Sequence, residues 1–117
     1  MNADWARPVV HWELVARDPI AQAAFYRQLF NWDISDGGFM GVPAGIGGPE
    51  PGPAGHIRAG EQPGVVLYIQ VRDLAASLRQ VPELGGTVTR EPFDLPGGPT
   101  LAFIRDPEGN AVTLVQQ

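Results

Sequence analysis

The chain carries one pattern twice. Displaced by 55 residues, the segment HWELVARD (His11 to Asp18) falls on VLYIQVRD (Val66 to Asp73). Further along, Ala21 meets Ala76 and Leu29 meets Leu84. Identities are few, but the patterns agree: an alternating stretch, an Arg-Asp pair, an amphipathic stretch, then more alternating stretches. A chain of 117 residues has room for one domain and not for two independent cores. The repeat therefore describes two small modules of a single domain. Glycine and proline cluster between Gly37 and Gly64, where a linker between modules would fall.

In the first module, Val9 to Ala16 alternates and is rich in β-branched and aromatic residues, which predicts a strand. Asp18 suits a helix N-cap because its carboxylate accepts from free backbone N–H groups, and Pro19 suits the first helical position. Ile20, Ala23, Ala24, Tyr26, Arg27 by its stem, Leu29 and Phe30 follow a helical period that Asn31 ends. Trp32 to Ser35 and Phe39 to Val42 predict short strands. In the second module, Val65 to Val71 predicts a strand and Asp73 a second cap. Leu74, Leu78, Val81 and Leu84 form one helical face, stopped by Gly85 and Gly86. Pro82 predicts a kink or an early end. Thr87 to Glu91, Thr100 to Ile104 and Ala111 to Gln116 predict the remaining strands. Asp106 to Gly109 reads as a turn, with proline second and glycine fourth.

Each half thus reads as βαβββ. One helix per half covers one face of a sheet, so the other face must be covered elsewhere or enclose a cavity. The expected fold class is α+β, with two βαβββ modules of mixed sheet forming a half-open cup. The expected boundaries are about 8–50 for module one, 51–64 for the linker and 65–117 for module two, within a single domain 1–117.

Composition narrows the function. No cysteine is present, which excludes disulfides and thiolate metal sites. The net charge of −5 comes with no basic cluster, so neither a nucleic-acid nor an anionic-membrane partner is expected. No apolar run reaches the roughly 18–20 residues of a membrane span. The start, Met1 to Pro8, carries Asp4 and no cationic-then-apolar order, so no secretory leader is expected and a cytoplasmic location is the default.

Several segments resemble the vicinal oxygen chelate superfamily, and in particular its small glyoxalase/bleomycin-resistance/dioxygenase-like bacterial members. They are the first strand around His11, the Phe25-Tyr26 to Leu29-Phe30 to Trp32 helix end, Gly45 to Gly48, Pro96 to Thr100 and Asp106 to Asn110. The resemblance spans nearly the whole chain and implies the glyoxalase/bleomycin-resistance/dioxygenase fold, a small organic molecule as partner and a homodimer. It also implies four metal-ligand positions in the metal-dependent members. The first matches His11. The third falls on Val66 and the fourth on Thr113. The second falls either in Gly45 to Gly48, which offers no side chain and has only Glu50 nearby, or in Gly55 to Ala59, where the repeat places Arg58. A catalytic zinc takes about three protein ligands, and His11 is the only family ligand position that survives. No cofactor is therefore expected, with a divalent metal as the departure to test for. Val66 and Thr113 in place of a His and a Glu argue against a true glyoxalase or an extradiol dioxygenase.

Strand alternation selects the pocket face independently. Trp12 and Leu14 oppose His11, Glu13 and Val15. Leu67, Ile69 and Val71 oppose Val66, Tyr68 and Gln70. Val112 and Leu114 oppose Ala111, Thr113 and Val115. The mixed faces give His11, Glu13, Tyr68, Gln70 and Thr113 as the ligand-binding set, with Phe39, Met40 or Phe103 as apolar walls. His11 and Glu13 lie two residues apart, about 6.5–7 Å between Cα atoms. A hydrogen-bonded His11–Glu13 pair is favoured over a shared metal. Glu13 and His11 are the candidate catalytic residues: Glu13, its pKa raised in an apolar cup, would act as a general base, or else it reaches solvent at the mouth. Tyr68 would donate to a ligand oxygen or sit at the core edge. His56, among Pro and Gly, reads as a surface-loop histidine. Trp5 and Trp32 read as packing residues. Gly45 to Gly48 lacks the helix and lysine of a phosphate loop.

Two functions from different classes remain open. One is lyase- or isomerase-type chemistry on an oxygenated organic substrate. The other is drug or metabolite sequestration without chemistry, as in bleomycin-resistance relatives. A domain whose ancestral site has decayed is a third.

Overall fold

The computed structural model describes residues 5–37, 39–43 and 52–116. Among them the element order is β1 (Val9–Ala16), α1 (Pro19–Phe30), β2 (Met40–Val42), β3 (Gly55–Ala59), β4 (Gly64–Gln70), α2 (Leu74–Glu83), β5 (Thr87–Asp94), β6 (Thr100–Arg105) and β7 (Ala111–Gln116). The fold is α+β with mixed strand pairing. Two compact units divide it: His11–Val66, and Leu67–Gln117 together with Met1–Val10.

In the unit His11–Val66, β3 pairs in parallel with β1 and antiparallel with β2. Asp18 caps α1 by accepting from the Ala21 N–H at 3.1 Å, with Pro19 at the first turn. Such a cap stabilises by about 1 kcal/mol. Asn31 ends the helix in the left-handed region, φ 59°, which asparagine tolerates better than most residues. Ala16, Ala23, Ile34, Met40, Val42 and Ile57 form the core of this unit, with Trp12, Leu14, Tyr26 and Trp32 packed against it.

Two expectations fail here. Trp32 to Ser35 is not a strand. The Ser35 N–H donates to the Gly41 carbonyl at 3.1 Å, but the Gly41 N–H donates to the Ser35 hydroxyl at 2.9 Å, so a side chain takes the place of the second ladder bond. The apolar period of α1 also overstates its burial. Ala23 is the buried residue of the helix, while Ile20, Phe25, Leu29 and Phe30 are exposed. Apolar groups surround this helix instead of forming one stripe, so periodicity could not select a face. Gly45 to Gly48 and Glu50 lie outside the described residues. β3 falls inside the segment 51–64, where the linker was expected.

In the unit that contains Leu67–Gln117, the strand order is β4-β7-β6-β5, with β4 and β7 parallel and the other pairs antiparallel. Asp73 caps α2 through the Ala76 N–H at 3.0 Å. Pro82 lies in the final turn, and the helix ends one residue later. Gly85 then takes φ 93°, and the Gly86 N–H closes on the Val81 carbonyl at 2.9 Å. Leu74 and Leu78 pack on Val71, Ala102 and Leu114, whereas Leu84, expected on the same face, is exposed.

Candidate functional site

The parallel pairing of β1 with β3 sets the site. Its register places Trp12 beside Gly55, Glu13 beside His56 and Val15 beside Arg58. Partners in register share a face, so Trp12 lies on the helix side while Glu13, His56 and Arg58 share the other face with His11. Gly55 makes the approach possible: a Cβ there would stand 2.1 Å from the Trp12 ring. The Trp12 indole N–H is satisfied by the Pro53 carbonyl at 2.8 Å.

On the mixed face a chain of hydrogen bonds runs through three residues. His11 Nε2 meets His56 Nδ1 at 2.7 Å, and His56 Nε2 meets Glu13 Oε1 at 2.8 Å. Arg58 Nε reaches the same carboxylate oxygen at 3.1 Å. Phe39, itself exposed, stacks on the His56 ring at 5.2 Å between centroids. Glu13 is 5 % exposed. Burial alone would raise its pKa, but hydrogen bonds from His56 and Arg58 and their charges prevail, lowering it from 4.5 to about 2. His11 titrates below the ordinary histidine value because burial and the neighbouring His56 disfavour its charged form, against the pull of Glu13.

These facts correct the expectations for Glu13, His56 and Met40. Glu13 neither reaches solvent nor has a raised pKa, because two donors hold its ionised form. The favoured His11–Glu13 pair is not direct among these bonds; His56 stands between them. The reason is geometric: residues two apart on a strand sit about 7 Å apart, a gap that a third side chain from the adjacent strand fills. His56 belongs to β3 and not to a surface loop, a signal hidden by the flanking Pro and Gly. Its period-2 relation to Arg58 was the available clue. Met40 is buried in the core and does not serve as a wall.

The other expected residues lie in the second unit. Tyr68 on β4 is in register with Thr113 on β7, and Gln70 with Val115. Phe103 of β6 pairs with Thr113 and Arg90 of β5 pairs with Phe103, which extends one row across the sheet. Arg90 lies over the Phe93 ring at 3.6 Å. Trp5 stacks with the Arg7 guanidinium, and Trp32 with Tyr26. A shallow open depression runs elsewhere, along the first turns of α1 between Val15, Asp18, Phe25 and Pro63. None of the expected pocket residues lines it.

The described residues do not form a metal-ligand set as arranged. Both ring nitrogens of His56 are engaged, by Glu13 and by His11. Among the described residues, no three His, Cys, Asp or Glu side chains form a ligand set.

Known proteins share the family and the fold of this chain. The chain is 33% identical over 98 residues to a probable lactoylglutathione lyase of Vibrio cholerae, covering 82% of this chain and 55% of the relative. The chain spans about half the length of the curated relatives it matches. A glyoxalase/bleomycin resistance protein/dioxygenase superfamily member from Vibrio splendidus shares the fold, with TM-score 0.67, 15% identity, and coverage of 96% of this chain and 100% of that one. Methylmalonyl-CoA epimerase from Mycobacterium tuberculosis shares it with TM-score 0.63 and 17% identity, over 92% and 86% of the two chains. A glyoxalase-like domain model matches residues 9–115, so the chain belongs to the glyoxalase-like domain family.

Proposed function

We propose that this domain binds a small oxygenated organic molecule and moves a proton next to its carbonyl group, in lyase- or isomerase-type chemistry, with His11 as the base. The observation that carries the reading is the hydrogen-bonded chain from His11 through His56 to Glu13. Ionised Glu13 accepts from His56 Nε2–H, which assigns the acceptor lone pair to His56 Nδ1. His11 Nε2–H then donates to that lone pair, and in this tautomer His11 Nδ1 is the ring nitrogen that carries the basic lone pair. When His11 Nδ1 gains a proton, its Nε2 proton can pass to His56. The positive charge then rests beside the Glu13 carboxylate. An oriented imidazole backed by a buried carboxylate is a recurring general-base arrangement. Glu13 keeps its charge and orients His56; it is a positioning residue and not the base. The names lyase and epimerase among the similar proteins agree with this class. Tyr68, Gln70 and Thr113 share one face of the second unit's sheet and are proposed as ligand-binding residues of that unit.

The test is proton exchange in D₂O. A panel of ketones, hydroxyketones and thioesters is incubated with the protein, and deuterium at the carbon next to the carbonyl is followed by NMR. Wild type should exchange at least one compound faster than His11→Ala by about 100-fold or more. Binding of panel members with no exchange above His11→Ala would sink the enzyme reading and leave sequestration. A parallel incubation with Ni²⁺, Zn²⁺, Mn²⁺ and Fe²⁺, then desalting, should leave no stoichiometric metal. Retention that disappears in His11→Ala would overturn the relay.

A further inference from the structure

Arg58 stands apart from the other arginines of its unit. Arg27 is committed to the Ile34 carbonyl and to Asp36, and Arg17 follows the end of β1. Arg58 projects from β3 on the face of His56 and Glu13. Its Nε is held by Glu13 at 3.1 Å, yet its side chain is 55% exposed. Nη1 has only a long 3.5 Å approach to the Ala59 carbonyl, and Nη2 has no partner among the described residues. The guanidinium is therefore anchored on its Nε side and open on its Nη edge. An anchored fork has already lost much of its rotational freedom, so less is lost when it grips a ligand.

We infer that Arg58 is the anion-recognition residue of this face and that the ligand carries an oxyanion, a carboxylate or a phosphate, beside the group from which His11 removes a proton. The inference rests on the reading that the His11–His56–Glu13 face is the ligand site. Charge bookkeeping supports it. Arg58 offsets the ionised Glu13, so an incoming anion meets no uncompensated negative charge. The arriving anion in turn balances the positive charge that the two histidines gain with the proton. The Nη edge matches the two-pronged geometry of carboxylate and phosphate.

The experiment uses side-chain ¹⁵N NMR of the whole chain, titrated with malonate, inorganic phosphate, and malonamide as a neutral control. Malonate or phosphate should move the Arg58 guanidinium and His11 ring signals together and saturably, while malonamide leaves both unmoved. The stronger of the two anions identifies the oxyanion class. Arg58→Lys keeps a positive charge near Glu13 and so protects the fold; it should weaken anion binding by about tenfold or more, and Arg58→Gln by more. Anion binding at His11 with unchanged affinity in Arg58→Lys would overturn the role of Arg58 while leaving the ligand face intact. Failure of both anions to move the Arg58 signals at tens of millimolar would overturn the inference outright. Deuterium exchange by wild type against His11→Ala decides the relay separately.

Discussion

Among the described residues, each half has one buried polar residue in its parallel strand pair, Glu13 on the first strand of one and Thr113 on the last strand of the other, and the two pairs carry different chemistry. Glu13 and Thr113 are the buried polar residues among those described, at 5% and 2% exposure. Glu13 is in register with His56, and Thr113 with Tyr68, the residue that the 55-residue repeat sets opposite Glu13. One pair is an ionised carboxylate and an imidazole; the other is two neutral hydroxyls. A carboxylate at such a point needs partners, because burying a lone charge costs several kcal/mol. The first half supplies them with His56 and Arg58. A hydroxyl needs only one hydrogen bond, so the second half tolerates a simpler surrounding. Both halves keep a parallel strand pair, but the residue paired with Glu13 is 43 positions on and the one paired with Tyr68 is 45 positions on, so register and chemistry diverge together.

Breaking this contrast should show most strongly in activity. His11→Ala should reduce proton exchange by about 100-fold or more, whereas Thr113→Val in the other half, which removes one hydroxyl assigned to ligand binding, should reduce it by about tenfold at most. Equal losses would mean that both halves carry the chemistry.

Acid should separate the halves next. The folded-state pKa of Glu13 is depressed from 4.5 to about 2. Its contribution is therefore fully present above pH 4.5 and is lost as pH falls towards 2, amounting to about 3 kcal/mol. His11, also lowered, makes the unfolded state the better proton binder, so stability should begin to fall as pH drops below about 6.5. Urea unfolding from pH 7 to pH 2 measures both steps. Glu13→Gln should be less stable at pH 7 and lack the lower step; a step that persists belongs to other carboxylates.

Each half also has a glycine where no side chain fits. A Cβ on Gly55 would lie 2.1 Å from the Trp12 ring, and one on Gly86 would lie 2.7 Å from the Arg105 carbonyl. Gly55→Ala should cost about 2–3 kcal/mol in urea unfolding, more than Gly86→Ala, because the indole is wedged over the strand. Gly52→Ala, with nothing within 4 Å, is the control and should stay within about 0.5 kcal/mol. A small loss at Gly55 would show that Trp12 is free to move.

The smallest effect sharpens the relay. The negative charge of Glu13 raises the pKa of His11 against burial and His56. Glu13→Gln should therefore lower the His11 pKa further, measured by ring NMR shifts against pH. An unchanged value would mean that the charge does not reach His11 through His56.

Local chemistry was legible before any tertiary structure. Asp18 and Asp73 cap the helices because a short carboxylate suits free N–H groups wherever a helix starts. The period of two on β1 separates Trp12 and Leu14 from His11 and Glu13, since alternation is a property of the extended backbone. The repeat carried the modular α+β plan, and the same alternation puts His11 and Glu13 on the face where their hydrogen bonds to His56 lie. What tertiary structure decided was the neighbour. His56 lies 43 residues from Glu13 and reaches it only because β3 runs parallel to β1 in one register. Period two assigns a face but says nothing about which distant strand lies alongside. The flanking Pro and Gly made that strand look like a loop. The same limit applies to Glu13: its burial argued for a raised pKa, and only donors from another strand reversed the sign.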